Sequence, residues 1–370
     1  MAPPAPLVSE RLHGDLRQPI SALAWSADGE FLAIASAGGE LLLLDFLAGC
    51  EELLRGDRDS SLDVVGFSGD GQFLMAAGQS GELLLWELGG TGMRPLAMDP
   101  IPLGGGWIDA AAWQPGGLLL AVAAGREPRL WDGARRQWRE PPLELPGTIQ
   151  ALAWSADGRR LAATSHGEVV LWRPGVGSPG EPPQRTPIAS AGLALAFSGP
   201  GQHLACGMLD RSLLLWPEDC QGQPWQFSGF PAKVRHLAWS EVPGRLAPLF
   251  ASAAAEAVIL WTQVNRGSKA WSPEPLVWHE RRVNALAFAP GSTLLASASS
   301  DGSVALWDGR GRLLQPLEGQ GSGFNALAWR PDGRHLAAGD ANGRWWLWPV
   351  AVPGRERQSQ RAGAGFRSRA

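Results

Sequence analysis

Asp63 and Asp109 each stand four residues before an aromatic, Phe67 and Trp113, in two closely similar stretches 46 residues apart. A carboxylate pair facing one cleft is the equipment of glycoside hydrolysis, or of a weak cation site. Carboxylates without a surrounding cluster are more often simply solvated. Cys206 and Cys220 lie 14 apart with His203 nearby, but there is no C-x-x-C or H-x-x-x-H spacing, so incidental or structural thiols are expected rather than metal ligands. The run Gly104 to Gly106 opens no helix, and the G-x-x-x-x-G-K-[ST] pattern is absent, so these glycines read as a turn and not as a phosphate cradle. No metal and no cofactor is expected.

The elements that must position these residues are copies of one unit. SALAWSADGEFLAIASAGGELLLLD from Ser21 recurs seven more times, ending with NALAWRPDGRHLAAGDANGRWWLWP. The first aromatic anchors are Trp25, Phe67, Trp113, Trp154, Phe197, Trp239, Phe288 and Trp329, spaced 41 to 49 residues apart with a mean of about 43. Seven of the second anchors are Trp (86, 131, 172, 216, 261, 307 and 348), with Leu44 in the first copy. Each unit opens with a short apolar run ending in Ser-Ala-Asp-Gly or its like, which supplies a tight turn with a glycine able to take positive φ. A second run, a second Gly-bearing turn and a third run follow. The stretches between copies hold a fourth candidate strand, such as EELLRG at 51–56 and PLELPG at 142–147. Four strands per period of about 43 is the composition of a propeller blade.

A blade of this size cannot bury both faces alone, so it must stack on its neighbours, with Trp filling the wide part of the wedge and Ala the narrow part near the axis. An open array would leave two sheet edges bare. The segment Leu7 to His13 precedes the first copy and is expected to pair beside Arg344 to Val350 of the last, closing the ring.

These residues carry a resemblance. Leu306-Trp307-Asp308, Leu130-Trp131-Asp132 and Leu85-Trp86-Glu87 stand where WD40 repeats have their Trp-Asp dipeptide, and Asp28-Gly29, Asp70-Gly71, Asp157-Gly158 and Asp332-Gly333 match that family's first turn. The copies therefore resemble WD40 repeats over residues 7 to 350. The resemblance implies an all-β protein, a β-propeller, and the eight copies are read as eight four-stranded blades with the N-terminal strand closing the last; the alternative is seven blades plus one degenerate copy. It also implies that His279, Ser297, Asp301 and Trp307 of the seventh copy form the family's buried structural tetrad rather than a hydrolytic triad. Other copies lack the His, and the turn Asp persists only at Asp210 and as Asn342.

The residue four before each first anchor is Ser21, Asp63, Asp109, Gln150, Leu193, Arg235, Asn284 or Asn325, polar in seven of eight copies. Period-equivalent residues form a ring. The resemblance places that ring at the face that meets partners, and the sequence adds Trp107, Arg281, Arg282 and Phe324 nearby, residue types enriched at binding hot spots. The equally weighted alternative is that polar residues stand where a buried strand emerges into water. A non-catalytic scaffold holding an unidentified protein or peptide on the rim of one face is the expected function. An enzyme or metal-dependent sensor using the acidic pair at the channel mouth is the alternative.

Net charge is −4, and the tail from Gly354 holds five Arg and one Glu, so the rest carries −8. A mixed, weakly acidic body does not suit nucleic acid, which wants a continuous basic stripe, and leaves only the tail for such contact. Residues 1–6 and the Arg-rich 351–370 are expected to be flexible, flanking one monomeric propeller at 7–350. No apolar run reaches the length of a membrane helix, the N-terminus lacks a secretory pattern, and three separated Cys fit a reducing setting, so a cytoplasmic protein without a membrane span or small-molecule substrate is expected.

Overall fold

The computed structural model describes residues 7–8, 12–89, 95–104, 106–108, 110–139, 143–174, 182–199, 203–217, 222–242, 248–264 and 270–351. Both tails beyond 7–351 lie outside these, as do Asp109 and Cys220. Among the described residues every regular element is a β-strand, and no helix is long and apolar enough to cross a membrane. The chain is an all-β propeller.

Local chemistry sets each hairpin. In the first turn Ser26 Oγ donates to Asp28 Oδ1 at 2.5 Å, Asp28 accepts the Glu30 amide at 2.9 Å, and Ser26 Oγ accepts the Phe31 amide. Gly29 takes the left-handed φ of +75° that closes it. The same Ser–Asp pairing recurs at Ser68–Asp70 and Ser155–Asp157. The first copy then forms antiparallel strands Ile20–Trp25, Phe31–Ser36, Leu41–Asp45 and Cys50–Arg55. Its second strand is buried almost throughout, whereas the first is half-buried because one side faces the central channel.

Seven hydrogen-bonded sheets result, which corrects the expectation of eight separate four-stranded blades. The fourth and fifth copies share one six-stranded sheet, whose strands Leu161–Trp172 and Gln184–Phe197 are unusually long. The physical cause is visible in both. Leu161–Trp172 passes through a turn at Gly167, φ +87°, with a bulge between His166 and Glu168 and Thr164 Oγ1 donating to the Glu168 carbonyl. Gln184–Phe197 pairs backward through Ala191 and forward from Gly192 without a break between copies. The inner strands Ile20–Trp25, Leu62–Phe67, Ala111–Trp113, Ala151–Trp154, Gln184–Phe197, His236–Trp239, Val283–Phe288 and Phe324–Trp329 follow one another round a closed circuit.

Closure uses the N-terminal strand, shifted from its expected position. Leu12–Asp15 pairs antiparallel with Arg344–Pro349, from Leu12 opposite Leu347 to Asp15 opposite Arg344. Leu7 is held separately, its amide on Gln315 Oε1 and its carbonyl accepting from the Ala351 amide. Apolar packing closes the same seam: Ile20, Leu32 and Ile34 of the first copy pack with Ala337, Trp345 and Leu347 of the last, each large side chain contributing about 1.5–3 kcal/mol. One fourth strand also differs. The third copy uses Gln137–Arg139, where Trp138 sits opposite Trp131, and the described part of 142–147 forms no strand.

Candidate functional site

The inner strands of neighbouring copies diverge as a wedge and cannot form a continuous ladder, so side chains tie them together. At one end, the first-anchor indoles reach back: Trp25 Nε1 donates to Ala328 O, Trp113 to Gly66 O, Trp154 to Ala112 O, Trp239 to Ala196 O and Trp329 to Ala287 O, at 3.0–3.2 Å. At the other end, the polar position reaches forward. Ser21 Oγ donates to Leu62 O at 2.5 Å, Asn284 Nδ2 to Phe324 O at 2.8 Å and Asn325 Nδ2 to Ile20 O at 3.2 Å. The first and last copies are therefore latched in both directions, Trp25 to Ala328 and Asn325 to Ile20.

The seventh copy brings its four polar residues into one chain. Trp307 Nε1 donates to Ser297 Oγ at 2.9 Å, Ser297 Oγ lies 2.8 Å from His279 Nε2, and His279 Nδ1 lies 2.9 Å from Asp301 Oδ2. The network assigns the proton of His279 to Nδ1, with the serine hydroxyl donating to Nε2. Burial works to raise the Asp301 carboxyl, but hydrogen bonds from Ser303, His279 and the Ser303 amide together hold it below the ordinary carboxylate range. Ser297 is fully buried and His279 nearly so, so this Ser–His–Asp set has no access for a substrate. The sixth copy keeps only a dyad, Trp261 Nε1 to Ser252 Oγ at 2.9 Å. Elsewhere other acids hold the corresponding turn: Asp340 accepts the Asn342 and Arg344 amides and the Ser322 hydroxyl, and Glu40 accepts the Arg17 amide and Ser36 Oγ.

The end of the ring carrying the polar positions and the turns between second and third strands frames the channel mouth. The channel has a volume of about 400 Å³, walled by Ala, Val and Leu, with Gln150, Arg235, His236 and Asn284 as its polar lining. Burial, reinforced by Arg235 and Arg282, pushes the His236 imidazole down to about 4. Gln150, Arg235, Arg281 and Arg282 are exposed, and Arg282 Nε donates to Asn284 Oδ1 at 2.9 Å. Asp63 accepts from Ser61 Oγ at 2.7 Å and from Trp107 Nε1 at 2.6 Å, while the ring of Trp107 stays 59% exposed. Two further apolar side chains are open just before the tetrad His279: Val277 at 88% and Trp278 at 42%.

Phe324 must be withdrawn from the expected partner surface. It is fully buried, edge-on to Trp346 and Trp348, because the fifth residue before the anchor points between copies rather than out of the face. Asn284 and Asn325 face the mouth but spend their amide protons on the ring. With Asp109 outside the described residues, the acidic pair cannot be placed, and its described member is already engaged by Trp107. Among the described residues no group of three His, Cys, Asp or Glu is arranged to hold a metal. Trp278 is one of the Trp outside the repeat positions that the sequence leaves open to a partner, whereas Val277 was missed; two large apolar residues between a fourth strand and the next copy were the available signal.

Repeats, closure and tetrad together define a WD40-repeat β-propeller. WD40 repeats are found at three positions of the chain: the profile of "WD domain, G-beta repeat" matches residues 140–173, 275–308 and 311–349. It is 32% identical over 117 residues to THO complex subunit 3 of Arabidopsis thaliana, covering 31% of this chain and 36% of that protein. It is 36% identical over 80 residues to ribosome assembly protein 4 of Chaetomium thermophilum, covering 21% and 15%. The match thus spans about a third or less of these curated relatives. Among solved structures, Chaetomium thermophilum Sqt1 bound to the N-terminus of the ribosomal protein L10 superposes with a TM-score of 0.75 at 17% identity, covering 90% of this chain and 97% of that one. Unbound Sqt1 superposes at 0.78.

Proposed function

We propose that this chain is a non-catalytic WD40 scaffold that holds a protein or peptide on the face around the channel mouth. The observation that carries the proposal is the exposure there of Trp107, Val277 and Trp278 beside Arg235, Arg281 and Arg282, in a protein whose Trp are otherwise mostly buried between blades. Aromatic and Arg side chains held on a rigid surface are the composition of binding hot spots. The propeller of like fold, Sqt1, is described bound to a protein N-terminus, which supports a peptide ligand. In this proposal the six-stranded sheet acts as two blades, giving eight equivalent positions round a monomeric ring at 7–350, and the protein works in the cytoplasm.

The test is affinity purification from the native cell with mass spectrometry, comparing the wild type with a Trp107→Ala, Trp278→Ala, Arg281→Ala variant. Loss of specific partners with an unchanged melting temperature is expected. An unchanged partner set would remove the face assignment.

A further inference from the structure

The eight positions three before each first anchor are Ala22, Val64, Ala110, Ala151, Ala194, His236, Ala285 and Ala326, and all but Ala22 and Ala326 line the channel. Seven are small and apolar, as the narrow end of a wedge requires; one is a bulky imidazole. The His236 imidazole makes no hydrogen bond among the described residues, although it is half-buried. Beside it, Arg235 is the one charged group lining the channel among the described residues, and its guanidinium has no ion-pair partner there. Arg282 joins from the next copy: Nε is fixed by Asn284, which aims the group, and its terminal nitrogens have no partner among the described residues. The side-chain amide of Gln150, exposed and with no partner among the described residues, lies across the same opening. Nitrogen donors thus converge on a cavity whose lining holds no carboxylate among the described residues. The acids of the surrounding turns stand outside that lining, and Asp63, the described acid of the polar ring, is tied up by Ser61 and Trp107.

We propose that the channel mouth is a carboxylate site, in which Arg235 and Arg282, with His236 and Gln150, receive an acidic side chain of a partner peptide whose flanking apolar residues rest on Val277 and Trp278. Charge complementarity argues for this occupant. The Arg235 guanidinium and the terminal nitrogens of Arg282 are unspent among the described residues, arginine forks suit carboxylates, and the walls below them are Ala and Leu, fit for an aliphatic stem. A channel of about 400 Å³ takes one or two side chains and no folded element. A polyanion lying across the whole mouth would meet Asp63 on the far side, which selects a short acidic and apolar segment over a nucleic acid.

The inference rests on the scaffold proposal and names the partner's chemistry. Its test is fluorescence anisotropy on the full chain, with a short labelled peptide of Glu residues around a central Leu pair and matched peptides carrying Gln or Lys for Glu. The Glu peptide is expected to bind, and to weaken as salt is raised. The double variant Arg235→Glu, Arg282→Glu should lose on the order of tenfold in affinity. Milder Arg235→Gln, Arg282→Gln serves if the reversal disturbs folding, and Arg310→Glu, on an exposed turn of the opposite face, should change nothing. Equal binding of Glu and Gln peptides, preference for Lys, or indifference to both arginine variants would overturn the carboxylate site. If that happens while the Trp107, Trp278, Arg281 variant still loses its cellular partners, the carboxylate inference fails alone and the scaffold proposal stands.

Discussion

Replacing Ser297 by Ala isolates what the buried chain of the seventh copy contributes. Ser297 is fully buried and accepts from the Trp307 indole at 2.9 Å while bonding His279 Nε2 at 2.8 Å. Ala leaves one buried indole N–H and one buried imidazole nitrogen without partners, each costing about 1–3 kcal/mol, so about 4 kcal/mol is expected. Ser252 of the sixth copy is equally buried but bonds one indole, Trp261, so Ser252→Ala should cost about half, near 2 kcal/mol. With an unfolding entropy of about 2 cal/mol/K per residue, a propeller of this size loses about 1.4 °C in Tm per kcal/mol, giving shifts of about 6 °C and about 3 °C. Scanning calorimetry with intrinsic Trp fluorescence reads both. A Ser297→Ala shift no larger than that of Ser252→Ala would refute the view that the cost counts orphaned buried groups, because the two sites differ chiefly in the His279 link.

Three further outcomes follow from the same contacts. Trp25→Phe keeps the ring but deletes its indole bond to Ala328, so urea denaturation should show a loss of about 1 kcal/mol for the latch, beyond any packing change. Gly339→Ala would drive a Cβ into the Ile20 side chain across the closing seam, and overpacking of about 1–3 kcal/mol should appear as a lowered urea midpoint. His236 supplies a pH dependence: its imidazole is held at about 4 in the fold by burial and by Arg235 and Arg282, against 6.5 ordinarily. Between those values the unfolded chain binds the extra proton, so stability falls as pH falls through this window, by about 3 kcal/mol in all. His236→Ala, the residue most other copies already have, should flatten that part of a urea midpoint-versus-pH curve; an unchanged slope would contradict it.

The architecture was legible because the pattern repeats: anchors in register eight times leave little freedom for another fold, and even the closing strand could be anticipated from the bare edge it must cover. Its register could not, because Leu7 to His13 and Leu12 to Asp15 both offer residues of the right kind, and only the position of Arg344 decides between them. The sheet count misled because strand separation depends on turn geometry. Gln184–Phe197 carries pairing straight from the fourth copy into the fifth at Ala191 and Gly192, and nothing in IASAGL distinguishes this from the broken connections between other copies. Phe324 was misplaced for a related reason: an aromatic beside polar residues reads as a surface anchor, yet the fifth residue before the anchor is the buried one, as Ile20, Leu62, Val234 and Val283 also are.

The polar ring shows why a repeat alone could not locate the binding residues. Eight equivalent positions look like eight equivalent contacts, but the ring must first be held together, and Ser21, Asn284 and Asn325 use their hydrogen atoms on the neighbouring copy. Leu193 has none to offer, and Asp63 is taken by Trp107 and Ser61. Of the described positions, Gln150 and Arg235 are left with side-chain groups the fold does not consume. Structure and recognition thus draw on one set of positions, and the residues open to a partner are those that closure leaves over. This division is itself testable: Asn325→Ala should lower Tm with partner binding preserved in the folded protein, whereas Arg235→Gln should weaken binding with Tm preserved. If both variants moved the same quantity, the separation of latch from recognition would be wrong.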